Sequence, residues 1–171
     1  MNRKICVALY KGKSWISKAI RWVTWGEFSH TAIMLPEEGG IIYESWDGVG
    51  VREGKNISDG HTPGTVVDVK SIYVRPEQYD RIVKALRSQV GKKYDKWGAI
   101  RFVPFIRIFI GTKPTKKERG DWFCSEYNCW GFEQGDVYIL NKPYYKISPS
   151  DVDTSTVLTF EYSMKTIGGK K

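Results

Sequence analysis

The sequence predicts a single domain of mixed helices and strands. Three observations carry that expectation. The chain has 171 residues, 41% apolar and 27% charged, which suits one soluble core. Residues 28–46 hold two strand-like runs around the turn-rich Pro36-Glu37-Glu38-Gly39-Gly40. Residues 76–90 place apolar side chains at helical spacing. No repeat, low-complexity segment or linker divides the chain. Residues 1–171 are therefore read as one domain with a frayed tail from about residue 165.

In chain order, residues 5–10 read as a buried strand, turned by Lys11-Gly12-Lys13. Ser14 caps a helix to about residue 25, with Trp15, Ile16, Ala19, Ile20 and Val23 on its core side, and Gly26 ends it. Residues 28–35 and 41–46 form the hairpin. A turn centred near Glu38 makes Ala32 oppose Glu44. His30 then shares a face with Glu44, one diagonal step away. Residues 47–63 read as a glycine-rich loop with a short strand piece at 49–51. His61 sits there in turn chemistry and is expected to be exposed.

Residues 65–69 and 71–74 alternate as strand. Pro76 opens a helix to about Val90, with Tyr79, Ile82, Val83, Leu86 and Val90 inward, and Gly91 stops it. Asp95 begins a further helix carrying Trp97, Ala99, Ile100 and Phe102. An apolar run at 103–110 and a basic loop at 111–120 lead to a helix over about 124–132, with Gly131 and Gly135 marking its end. Residues 148–151 are a turn or short helix, and 156–164 a closing strand.

Net charge is +8 and unevenly spread. Residues 1–25 hold six Lys/Arg and no acid, residues 26–75 four basic and eight acidic groups, and residues 76–121 twelve and five. Such a surface attracts polyanions: nucleic acid, anionic lipid or an anionic cell wall. The three cysteines, Cys6, Cys124 and Cys129, do not form a disulfide framework. On one helix Cys124 and Cys129 stand about 140° apart and cannot bridge. No secretory signal is read at Met1-Asn2-Arg3-Lys4, and no run reaches membrane-spanning length. The chain is expected to be cytoplasmic as synthesised, with any export or virion delivery supplied separately.

Cys124 in Phe123-Cys124-Ser125-Glu126-Tyr127 stands near a helix start, where the dipole and unpaired N–H groups favour a thiolate. A thiol nucleophile needs a base and a group to orient that base. Cys124, His30 and Glu44 supply the three, with Tyr43 and Trp46 to shield them from water. Each also has an ordinary structural reading: a core cysteine, a satisfied histidine, a surface strand glutamate. Two histidines far apart in sequence, without CxxC or HxxxH spacing, argue against a metal. No cofactor is expected, since neither a P-loop nor GxGxxG occurs.

Ser29-His30-Thr31-Ala32-Ile33, Ile42-Tyr43-Glu44, Gly91-Lys92-Lys93-Tyr94-Asp95 and Phe123-Cys124-Ser125-Glu126, with the histidine ahead of the cysteine, resemble the circularly permuted branch of the NlpC/P60 papain-like superfamily. The resemblance spans about residues 5–155. It implies an α+β fold with an antiparallel, partly barrel-like sheet and the nucleophile helix packed against it. It implies Cys124 as nucleophile, His30 as general base and Glu44 as third residue, with Tyr94 in an oxyanion or positioning role. It also implies cleavage of amide bonds, most often in peptidoglycan stem peptides. Two other readings stay open. One is a lipid-directed thiol hydrolase or acyltransferase, with Trp15, Trp22 and Trp25 beside Lys18 and Arg21 at a membrane surface. The other is a basic nucleic-acid-binding domain, which no recognition motif supports.

Overall fold

The computed structural model describes residues 1–95 and 121–168. The helix expected from Asp95, the apolar run 103–110 and the basic loop 111–120 fall outside the described residues. So do the expected core placements of the Ile16 and Val23 side chains. The fold is α+β. Strands β1 (Arg3–Lys11), β2 (His30–Leu35), β3 (Ile41–Trp46), β4 (Gly50–Gly54), β5 (Val66–Val74) and β6 (Thr159–Lys165) form one sheet in the order β4-β3-β2-β1-β5-β6. Every pairing is antiparallel. Helix α1 (Trp15–Thr24) joins β1 to β2, and α2 (Pro76–Ser88) follows β5. Helix α3 (Cys124–Gln134) and the short α4 (Pro149–Asp153) precede β6.

Strand β1 lies inside the sheet and is buried on both faces, which is why residues 5–10 read as a continuous apolar run rather than an alternation. Ile5, Val7 and Leu9 pack in the core that holds Tyr79, Ile82 and Leu86 of α2 and Tyr127 and Phe132 of α3. Cys6, Ala8 and Tyr10 join a second core with Ala32, Ile42, Val67, Val69 and Ile57. Ile57 comes from the β4–β5 connection.

The β2–β3 hairpin has the expected register, with Ile33 opposite Tyr43 and Met34 opposite Ile42. Strands β4 and β6 stand at opposite edges. The sheet is open, so the expected partly barrel-like closure is not found. The two expected strands at 65–69 and 71–74 are one, because β1 pairs with β5 continuously from Arg3–Val74 to Lys11–Val66. Trp15 and Ala19, expected on the core side of α1, are exposed, Trp15 to 77%. Val90 lies beyond the end of α2 and is exposed. Thr166, expected in the frayed tail, is buried: its carbonyl accepts the Gly64 N–H and its own N–H donates to Thr65. No helix among the described residues is long and apolar enough to cross a membrane.

Helix α3 is buried nearly all round, which explains its weak amphipathic signal. Gly131 lies inside this helix rather than at its end. A Cβ there would stand 2.6 Å from Leu86 Cδ2, so glycine lets α3 approach α2. Tyr127 Oη donates to the Leu86 carbonyl (2.8 Å), Ser125 Oγ to the Ile147 carbonyl (2.5 Å), and Asn128 Nδ2 to Thr31 Oγ1 (2.9 Å). These bonds tie the first turns of α3 to α2, to the approach to α4 and to β2.

Candidate active site

Glu44 is the hub of the site. The pleat places Tyr10, His30, Glu44, Trp46 and Arg52 at even positions on four neighbouring strands, and even positions line the second core. Glu44 is fully buried, which requires its charge to be paired. Its Oε2 accepts from His30 Nε2 (2.6 Å) and His61 Nε2 (3.1 Å). Its Oε1 accepts from Arg52 Nε (2.8 Å) and Nη2 (2.5 Å). Burial alone would raise the carboxyl pKa. The bonds and charges of His30 and His61 outweigh burial and hold it well below the usual carboxylate range.

His61 was expected to be exposed and is not. Its side chain is 8% exposed, with the ring stacked on Tyr10 (3.9 Å between centroids) and on Trp46 (4.5 Å). The preceding Gly60 makes this approach possible. It has φ +75°, and a Cβ there would stand 2.9 Å from both Arg52 Nη2 and Trp46 Cζ3. Burial lowers the His61 pKa against the opposing pull of Glu44. Arg52 donates further to the Asp59 carbonyl (2.5 Å) and lies 4.6 Å from the Trp46 ring centroid, so it fastens the same loop.

Cys124 is the first residue of α3 and is 1% exposed. Its side chain interacts with the His30 ring. Because Nε2 of that ring is held by Glu44, Nδ1 is the nitrogen left for the thiol. Burial pushes the His30 imidazole down. The interactions with Cys124, followed by those with Glu44, overcome burial and bring its pKa up to about 10. The chain thus brings Cys124, His30 and Glu44 into one line, with His30 hydrogen-bonded to Glu44 and interacting with Cys124.

Tyr94 joins them from thirty positions upstream of Cys124. Asp95 N–H donates to the Trp122 carbonyl and Trp122 N–H to the Lys93 carbonyl (both 3.0 Å), which clamps residues 93–95 beside the lead-in to α3. The Tyr94 ring lies 6.0 Å from that of Phe123. Burial, then the nearby Cys124, Asp47 and Asp95, push its hydroxyl far above the ordinary range. Ser29 and Thr31, the neighbours of His30, serve the frame. Ser29 Oγ accepts the Gly12 N–H (3.0 Å), and Thr31 bonds Asn128. Tyr43 lies on the opposite face, in the α2–α3 core, and does not shield the site. A cleft of about 670 Å³ beside Glu133, Tyr138 and Leu140 lies at the other end of α3.

The sequence reading missed His61, Arg52 and Tyr10. Arg52 was reachable: a turn at Asp47-Gly48 that continues the β3–β4 pairing sets it directly opposite Glu44. Nothing local in the sequence marks His61.

The expectation of no metal is also corrected. The two histidines are distant in sequence, yet one donor atom from each of His30, Glu44 and His61 lies within 4.8 Å of the others. Two histidines and a carboxylate are a fitting donor set for zinc or a similar ion. The present His30–Glu44 separation of 2.6 Å is a hydrogen bond. Two ligands at tetrahedral zinc stand about 3.4 Å apart, so holding an ion requires the pair to open.

These features define an α+β protein with an open antiparallel sheet and a Cys–His–Glu line joined by a second histidine. No family model matches the chain, and no curated protein matches it. It is similar in structure to the crystal structure of "metalloprotein yiiX from Escherichia coli O157:H7, DUF1105". The TM-score is 0.62 at 15% identity, covering 95% of this chain and 97% of that one. At this identity the likeness shows the fold. The expected membership of the permuted NlpC/P60 branch is therefore corrected: the structural relative carries a different family description, and no family model supports the assignment.

Proposed function

We propose that the protein is a cysteine-dependent hydrolase of amide bonds, working through an acyl-enzyme. The observation that carries this reading is the line Cys124–His30–Glu44, with His30 hydrogen-bonded to Glu44 and beside Cys124 at the first position of a helix. His30, oriented by Glu44, holds the Cys124 proton while the thiolate attacks the substrate carbonyl carbon. The carbonyl π electrons move to oxygen. In this reading the backbone N–H groups at the start of α3 stabilise the oxyanion, and Tyr94 lends its hydroxyl. His30 then gives the proton to the leaving amine as the C–N bond breaks. Water, deprotonated by His30, attacks the thioester and returns free Cys124. In this reading α3 is the nucleophile helix packed against the sheet. Stem peptides of peptidoglycan head the substrate panel, because the basic surface suits an anionic wall. Lipid esters and other acyl donors form the alternative arm.

The test is hydrolysis of that panel by the full chain and by Cys124→Ala and His30→Ala. Loss of turnover in both variants, with unfolding transitions kept, is the expected result. Full activity in either variant overturns the reading.

His30, Glu44 and His61 support a second reading, a divalent-cation site. It is favoured by their converging donor atoms and by the description of the structural relative as a metalloprotein. These three residues would hold the ion, and a bound ion would supply a Lewis acid or an activated water. Both readings draw on His30, so they exclude one another at full occupancy. Calorimetric titration with zinc, using wild type and His61→Ala, separates them. Tight binding lost in the variant supports the metal reading. Absence of heat, with thiol labelling of Cys124 untouched by chelator, leaves the thiol reading alone.

A further inference from the structure

Helix α1 carries its aromatic residues on the side facing water. Trp15, Trp22 and Trp25 are 77%, 76% and 89% exposed, whereas Ser17, Ile20, Arg21 and Thr24 are half-buried. Trp15, Lys18 and Trp22 fall within about 60° of one another round the helix. Trp25 continues this stripe one residue past the last turn. Its backbone is left-handed (φ 52°) in a Schellman-type closure: its N–H donates to the Trp22 carbonyl (3.4 Å) and that of Gly26 to the Arg21 carbonyl (3.1 Å). A bulky residue is uncommon in that conformation, and here its ring gains no packing. Nothing among the described residues explains three solvated indoles on one stripe.

We propose that α1 is an interfacial anchor that seats this end of the molecule on an anionic phospholipid bilayer. Indole rings favour the headgroup level of a bilayer, where an apolar body and a polar N–H are both accommodated. The charge around them is complementary to such a surface. Lys13 and Lys18 are exposed beside the tryptophans, and no acid occurs in residues 1–25. Glu27, the first acid after the helix, is paired with Lys11 (2.5 Å). A short helix with tryptophan and lysine on its outer face lies in the interface plane rather than crossing it.

The anchor also has a defined place in the fold. The helix is an excursion between Tyr10, which stacks on His61, and His30, and these two residues pair across β1 and β2. Gly12 N–H bonds Ser29 Oγ (3.0 Å), closing the base of the excursion. Docking through α1 therefore brings the rim of the Glu44 site to the lipid surface. The proposal stands apart from the chemistry at Cys124, because it concerns only where the molecule sits.

The test is co-sedimentation of the full chain with phosphatidylcholine vesicles, with and without phosphatidylglycerol, read together with tryptophan emission. Binding should be about tenfold tighter with phosphatidylglycerol, weaken with added salt, and shift the emission to the blue. Trp15→Ala/Trp22→Ala/Trp25→Ala should lose about tenfold or more in affinity while keeping the far-ultraviolet dichroism of wild type. Lys13→Glu/Lys18→Glu, two exposed changes that leave the core untouched, should lose the preference for anionic vesicles. Cys124→Ala should bind as wild type does. Failure to bind anionic vesicles overturns the proposal, as does equal binding by the triple-tryptophan variant. Two further results overturn it in favour of other occupants. One is tryptophans shielded from acrylamide without vesicles, the mark of an intramolecular cover. The other is concentration-dependent dimerisation lost in the triple variant, the mark of a second copy.

Discussion

Glu44→Gln removes one charge and almost no volume from the centre of the site. The wild-type carboxylate is fully buried and accepts four hydrogen bonds, two from Arg52 and one each from His30 and His61. The amide keeps one acceptor oxygen and sets an NH₂ group against donors. Breaking a buried ion pair from one side costs about 3–5 kcal/mol. Arg52 keeps its bond to the Asp59 carbonyl, and its side chain is 21% exposed, so it partly rehydrates. The lower end, about 3 kcal/mol, is therefore expected. For a chain of this size that lowers Tm by about 6–12 °C. The same change removes the group that fixes the His30 ring. Alkylation of Cys124 by iodoacetamide at neutral pH should then slow by about tenfold, while the labelling of Cys6 and Cys129 in urea stays as it was. Scanning calorimetry and mass spectrometry of the labelled peptides read the two effects. A Tm within about 1 °C of wild type, together with unchanged Cys124 labelling, would refute Glu44 as the hub.

Three further outcomes follow from the same structure. Gly50→Ala should destabilise by about 2–4 kcal/mol in urea unfolding, because the residue has φ +91° and a Cβ there would stand 2.2 Å from the Lys92 carbonyl oxygen, which accepts the Val51 N–H; a loss near zero would show that the β4–Lys92 contact is not rigid. Burial pulls the Asp151 carboxyl up, but the Ser148 N–H, Lys142 and the Ser148 hydroxyl hold it below its usual value, so its contribution is present above the ordinary aspartate range and is lost as pH falls through the folded value. After allowance for its one-third exposure, Asp151→Asn should cost about 1 kcal/mol near neutral pH and converge with wild type in acid; a gap independent of pH would contradict this. With His30 raised to about 10, the proton for the leaving amine is available through neutral pH and lost above that value. The alkaline limb of the pH–rate profile should fall near pH 10, and a limb at the ordinary histidine range would refute the pairing with Cys124.

The corrections fall where long-range contact decides. The β2–β3 register, the start of α3 at Cys124 and the shared face of His30 and Glu44 are near-local matters of turn position, capping and period-two alternation, and they were legible. His61 was misread because Gly60 and its neighbours look like any exposed turn. The loop is drawn inward by Tyr10, Trp46 and Arg52, residues up to fifty positions away in sequence. The same blindness produced the expectation of no metal, since spacing rules describe ligands on one element and these three come from two strands and a loop. Trp15 was placed in the core because apolar spacing marks a face without saying what stands opposite it.

The sequence by itself determined the β2–β3 hairpin, a histidine strand ahead of a cysteine helix, and a basic stretch over residues 1–25 without acids. Those follow from local sterics, periodicity and composition. Only the tertiary structure decided that the sheet stays open and that one buried carboxylate gathers two histidines and an arginine. It alone left three indoles in water. The physical reason is the same in each case: a buried charge and an exposed ring acquire their meaning from atoms brought together by folding, and chain separation does not encode that proximity.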